Sequence, residues 1–251
     1  MLRSNSTYHY ARWGYRTLDA TRYEQRRYHG LVRRVNHRML ERALARALEH
    51  VPAGGLVLDA PCGTGILAPL LRRLGFRVVG ADISPTMLAA ARKQDSVMGY
   101  VRADLEAPPW RQGSVDAVVS TRFLMHLPRK RRPAMLGALA ELARGPLVAT
   151  VCHPHTLKSF TRVLRRALGI KAKRPPRLRR RDLAAEAAAA GLLIERVIPV
   201  VPLLSEVWVV VLRKLPCHPR RSVHGGARSL AALGKHMRWN HPHDEEDSQR
   251  Q

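Results

Sequence analysis

Short apolar runs of strand length alternate with helix-patterned segments from residue 56 to about residue 190, and this alternation restricts the fold more than any other feature. Leu56 to Ala60, Arg77 to Asp82, Gly99 to Ala103, Val115 to Ser120 and Pro146 to Cys152 read as five strands. Between them, Ile66 to Leu74, Met87 to Lys93 and Arg129 to Ala143 read as helices, the second with Ser84 as N-cap and Pro85 at its first position. An alanine-rich helix, Asp182 to Ala190, precedes two closing strands, Leu192 to Val201 and Ser205 to Arg213, that form an antiparallel hairpin around Pro202. Strands this apolar, connected through helices, call for a mostly parallel sheet buried on both faces. The expected fold is α/β and Rossmann-like, a mostly parallel sheet with an antiparallel C-terminal hairpin and helices on both faces. A ligand then sits outside the carboxyl ends of the strands, where the strand order reverses.

The rest of the chain divides around this unit. Residues 1–35 hold Tyr8, Tyr10, Trp13, Tyr15, Tyr23 and Tyr28 and read as an aromatic lid segment, or as an ordinary helix on the core. Asn36 to His50 is an amphipathic helix ended by Pro52-Ala53-Gly54-Gly55. The main domain runs over 36–213, with a basic insertion at 154–181, and 214–251 reads as a flexible tail, basic and then acidic at Asp244-Glu245-Glu246-Asp247. Cys62, Cys152 and Cys217 are too few and too scattered for a disulfide framework and suggest a reducing, cytoplasmic setting. The opening Met1-Leu2-Arg3-Ser4-Asn5 carries no apolar signal region, and the most apolar stretch, Leu192 to Leu212, is too interrupted to cross a bilayer.

The chemistry concentrates at the ends of the first three strands. Asp59-Ala60-Pro61-Cys62-Gly63-Thr64-Gly65 joins the first strand to its helix. Glycines there let the backbone approach a ligand, and the following helix offers free N–H groups. Gly63 to Ala68 by itself fits the dinucleotide fingerprint, a weak match. Asp59 argues against it: a carboxylate repels a pyrophosphate but attracts a ligand bearing an ammonium and a sulfonium. Asp82 is placed to accept from the vicinal hydroxyls of a ribose, and Asp104 from an exocyclic amine such as that of adenine. The competing reading is that each aspartate only caps the turn that follows it.

These segments, with Ala81-Asp82-Ile83-Ser84-Pro85-Thr86-Met87-Leu88 and Ser114 to Ser120, resemble the class I S-adenosylmethionine-dependent methyltransferases, in particular the broad small-molecule "type 11" group. The resemblance is strong over 54–127, weaker to about 213 and absent beyond. Pro61-Cys62 stands where a Gly-x pair is commoner in that family. The resemblance implies a seven-stranded sheet and S-adenosyl-L-methionine bound across Asp59, Gly63, Gly65, Asp82, Ile83, Asp104, Leu105 and Ser120.

The end of the fourth strand, Ser120-Thr121-Arg122-Phe123, then floors the acceptor pocket. Relatives that methylate nucleobase amines carry Asn/Asp-Pro-Pro-aromatic there, and Ala107-Pro108-Pro109-Trp110 imitates that motif only after the third strand, as a loop. This argues against a nucleobase-amine methylase and leaves other nucleic-acid targets open; the expected acceptor is a small molecule or a lipid-linked metabolite. His126 is the candidate catalytic base, or a histidine packed at a helix start. Arg122 is a candidate grip on an anionic acceptor or a solvated charge, with Tyr23 and Tyr28 as further substrate contacts. Cys152-His153-Pro154-His155 and Cys217-His218 lack the paired spacing of a zinc site, so no metal is expected.

Charge adds one more expectation. The formal net charge is +25, and 37 of the 44 basic residues are arginine, which codon usage in a G- and C-rich genome partly accounts for. Lys158 to Arg181 is densely basic with no acid and has an amphipathic pattern, Phe160, Val163, Leu164, Ala167 and Leu168 against arginines. It suits an anionic membrane surface or RNA, and with it a peripheral place at the inner membrane face; the alternative is a solvated loop. An RNA methyltransferase and a catalytically silent cofactor-binding module are the two rival functions.

Overall fold

The computed structural model describes residues 31–94, 97–153, 178–202 and 204–215. The lid segment with Tyr23 and Tyr28, most of the basic insertion and the tail lie outside these residues. Helix α1 (Leu31–Ala47) leads into β1 (Leu56–Asp59), α2 (Ala68–Arg73), β2 (Arg77–Asp82), α3 (Pro85–Ala91), β3 (Gly99–Arg102) and β4 (Ala117–Ser120). Then come α4 (Arg132–Leu142), β5 (Leu147–Cys152), α5 (Arg180–Ala189), β6 (Leu192–Pro199) and β7 (Val207–Lys214). One seven-stranded sheet has the order β3-β2-β1-β4-β5-β7-β6. Strands β1 to β5 pair in parallel, and β7 runs antiparallel to both β5 and β6.

The expected architecture is therefore observed, down to the C-terminal hairpin. Side chains alternate across the sheet. Val57, Val78, Val119, Val148 and Val209 face Leu40, Leu44, Leu70 and Leu71 of α1 and α2. Leu58, Ala81, Val118, Leu147 and Val210 face Leu136, Leu139 and Leu183 of α4 and α5. The order turns over between β1 and β4, so the crevice lies outside their carboxyl ends.

Several element boundaries differ from the sequence reading, for local reasons. Helix α2 begins only at Ala68, because Pro69 has no N–H and sits best in a first turn. Strand β4 begins at Ala117, since Val115 makes only an isolated bridge to Ala143 and Asp116 turns its carboxylate to accept from Leu56 N at 2.7 Å. Helix α5 begins at Arg180, where Asp182 accepts from the Arg179 N–H. Helix α3 begins at Pro85, and Ser84 Oγ accepts from Met87 N at 3.3 Å, as expected of an N-cap.

Candidate active site

Asp59, Gly80 and Tyr100 stand opposite one another on β1, β2 and β3, so their side-chain positions share one face. Asp59 is 1% exposed, and neither carboxylate oxygen has a hydrogen-bond partner among the described residues. Burial, reinforced by nearby Asp82, pushes its carboxyl up to about 8. Burial likewise raises Asp82, but this carboxylate is supported: Oδ2 accepts from Gly63 N at 2.9 Å and Oδ1 from Ser84 N at 2.8 Å. The turn-capping alternative thus describes Asp82, and also Asp104, whose Oδ1 accepts from Glu106 N at 3.1 Å. It fails at Asp59.

The loop between β1 and α2 is held from both sides. Cys62 N donates to Ala81 O at 2.7 Å, and Gly63 N is tied to Asp82. The Cys62 thiol is pushed far up by burial, with the two aspartates adding to it. Gly63 has φ 56°, and nothing lies within 4 Å of where a Cβ would be, which leaves its backbone open to a ligand. Gly65, at φ 75°, is enclosed instead: a Cβ there would meet Tyr100 Oη at 2.7 Å and Ala91 Cβ at 3.1 Å. Ile83 is half-buried beside Asp82, Ser120 is fully buried, and the Leu105 side chain is part of the core under α4.

The rim of β4 and β5 is made differently. Arg122 follows β4 at φ 55°, the left-handed region, and its N–H donates to Thr150 Oγ1 of β5 at 2.6 Å. His126 lies half-buried in the short 3-10 turn Leu124–His126. Behind that turn, Leu124, Met125, Arg132, Val151, Cys152, Leu178 and Glu186 line a small cavity. Arg132, 4% exposed, donates to Leu127 O and pairs with the nearly buried Glu186 at 3.6 Å. Burial holds the Glu186 carboxyl above its usual range and the Arg132 guanidinium below its own, with the pairing opposing both. At the end of β5, His153 stacks on Trp208 with ring centroids 4.1 Å apart, and the Arg180 guanidinium lies 5.5 Å from the Trp208 centroid. Among the described residues no three His, Cys, Asp or Glu side chains gather as a metal site.

Residues 58–145 match the family model described as "Methyltransferase domain". The resemblance to the class I methyltransferases is thereby shown. Relatives of the domain include a malonyl-[acyl-carrier protein] O-methyltransferase of Pectobacterium atrosepticum, 38% identical over 117 residues, which are 43% of this chain and 46% of that protein. A demethylmenaquinone methyltransferase of Thermus thermophilus is 42% identical over 87 residues, 32% of this chain and 39% of that protein. The chain thus spans less than half the length of these curated relatives. Crystallised magnesium protoporphyrin IX methyltransferase of Synechocystis PCC 6803 shares the methyltransferase fold at TM-score 0.64 and 22% identity, covering 83% of this chain and all of that one.

The structure brings Asp59, Gly63, Gly65 and Asp82 together and places Asp104 on the next strand end. Sequence reasoning missed Tyr100, Thr150 and the Arg132–Glu186 pair. Tyr100 is the one with a legible trace, since it falls in register with Gly80 as soon as β2 and β3 are aligned.

Proposed function

We propose that this chain is an S-adenosylmethionine-dependent methyltransferase acting on a small-molecule or lipid-linked acceptor in the cytoplasm. The observation that carries the reading is Asp59: a buried carboxylate without a partner, beside an open, left-handed glycine, at the crevice of this fold. A buried charge needs a counter-charge or a proton. S-adenosylmethionine, when bound, supplies an electrophilic methyl on a cationic sulfur, and its ammonium and sulfonium suit this carboxylate. Asp59 would hold the amino-acid end, the Gly63 and Gly65 backbone would line it, Asp82 would accept from the ribose hydroxyls with its remaining lone pairs, and Asp104 would accept from the adenine amine. The side chain of Ile83 would flank the nucleoside, whereas Leu105 and Ser120 would contribute from behind it.

The chain's own work in methyl transfer is alignment and exclusion of water. Arg122, at the end of β4, would grip an anionic acceptor. His126 would take a proton at an imidazole nitrogen from acceptors that must lose one. The relatives named as O-methyltransferases fit a carboxylate or hydroxyl acceptor. No described helix is long and apolar enough to cross a membrane. The basic residues 158–181 would meet the anionic headgroups around a lipid-linked acceptor.

The test is a methyl-transfer screen with labelled S-adenosylmethionine against metabolite, lipid and RNA extracts, with calorimetry of cofactor binding beside it. Labelled small or lipid products with micromolar cofactor binding are expected. Binding of NADH in place of S-adenosylmethionine overturns the reading, and a labelled RNA product would move it to the rival acceptor.

A further inference from the structure

The amino-acid end of the proposed cofactor site has a second layer. Tyr100 lies across Gly80 so closely that a Cβ on that glycine would come 2.6 Å from its ring, and its Oη fills the space beside Gly65. Both glycines are thus small because this one ring occupies the room their side chains would need. The Tyr100 hydroxyl is buried and has no hydrogen-bond partner among the described residues, and neither oxygen of Asp59, in the same row, has one. A phenyl ring would fill the same space without leaving a buried hydroxyl unpaired, which is unfavourable in itself. Resting on the cofactor reading above, we propose that Tyr100 is a positioning residue that sets Asp59 and the Gly63–Gly65 loop for the amino-acid end of the cofactor.

The ring fixes where the loop lies, and the hydroxyl donates to the Asp59 carboxylate once that group is ionised. The groups that face Asp59 are Asp82 from β2, the Cys62 thiol from the loop and Tyr100 from β3. Of these, the Asp82 carboxylate, together with burial, favours a neutral Asp59, while the Cys62 thiol stays uncharged. The Tyr100 hydroxyl opposes them, because hydrogen bonding to the charged form favours it. A ligand ammonium acts in the same direction as the hydroxyl, so the two effects are coupled.

The experiment compares S-adenosylhomocysteine with 5′-methylthioadenosine, a nucleoside thioether that lacks the amino-acid end, by calorimetry on the full chain between pH 6 and 9. Tyr100→Phe keeps the ring on Gly80. It is expected to weaken S-adenosylhomocysteine about tenfold, the loss of one hydrogen bond to a charged group, and to leave 5′-methylthioadenosine within about twofold. The rise of S-adenosylhomocysteine affinity with pH should move to higher pH in this variant. In an Asp59→Asn background, Tyr100→Phe should have no further effect. Unchanged S-adenosylhomocysteine affinity in Tyr100→Phe, or equal weakening of both ligands, overturns the inference and leaves the cofactor reading standing. Failure of the wild-type chain to bind either ligand overturns the cofactor reading, and this inference with it.

Discussion

The rims of β1–β3 and of β4–β5 belong to one crevice but are held by opposite devices. On the first, carboxylates sit on backbone N–H groups or on nothing, as Asp82 does on Gly63 and Ser84 and Asp59 does alone. On the second, cations are neutralised by distant partners, Arg132 and Arg129 by Glu186 and Asp182, and a strained backbone at Arg122 leans on Thr150. The first rim holds a buried carboxyl without a partner, which a cationic ligand would ionise and complete. The second is already charge-balanced and derives its shape from contacts between residues far apart in the chain. A rim that is written locally and a rim that is written by packing is the lesson of the comparison, and substitutions on each should behave accordingly.

The sharpest way to break it is Arg132→Met, which strands Glu186 in a largely buried place with only the exposed Arg129 beside it. Global stability should drop by about 3 kcal/mol in urea unfolding, the lower end of the cost of breaking a buried pair. Arg132→Met with Glu186→Leu should regain most of that. If the single and double variants are equally unstable, charge balance is not what holds the second rim.

Next in size is Asp82→Ala. It removes the proposed ribose acceptor and also frees Gly63 N and Ser84 N, so S-adenosylmethionine affinity should fall by about 1.5–3 kcal/mol by calorimetry, with the fold intact. Unaltered affinity in a folded variant would remove Asp82 from the cofactor site.

A smaller effect is titratable. Folding raises the Asp59 carboxyl from 3.8 to about 8, so in this window the folded chain holds a proton that the unfolded chain has lost. The stability of the ligand-free protein should therefore fall as pH rises from 6 to 8, by about 1 kcal/mol per unit. Asp59→Asn should flatten that slope, and a saturating cation-bearing cofactor should reduce it. A flat profile over this window, unaffected by Asp59→Asn, would mean that Asp59 is already ionised in the folded chain.

The smallest is Thr150→Val, which removes the acceptor of the Arg122 N–H and should destabilise by about 1 kcal/mol, with Thr150→Ser restoring the loss. Thermal melts of the three proteins measure it. A valine variant as stable as the wild type would show that the left-handed backbone at Arg122 stands without Thr150.

Most of the first rim was legible in the chain because its signals are short-range. An apolar run, an acid at its end, glycines and then a helix lie within ten residues of one another. Each local preference agrees with the sheet that results. The second rim was legible only as residue types. Arg122 and His126 were singled out, but nothing near them in sequence announces Thr150, 28 residues on from Arg122, or Glu186, more than fifty from Arg132.

What the sequence by itself determined is the α/β alternation, the strand ends on which Asp59, Asp82 and Asp104 stand, the Ser84 cap and the antiparallel closing hairpin, since hydrophobic period and turn chemistry are properties of neighbouring residues. What only the tertiary structure decided is the strand order, which seats β7 between β5 and β6, and the burial that leaves Asp59 unpaired while Asp82 is held by two N–H groups. Register across β1, β2 and β3 likewise decided that Tyr100 covers Gly80 and reaches Gly65. The physical reason is that a carboxylate's charge state and a ring's contacts depend on what surrounds them in space, and residues distant along the chain supply those surroundings.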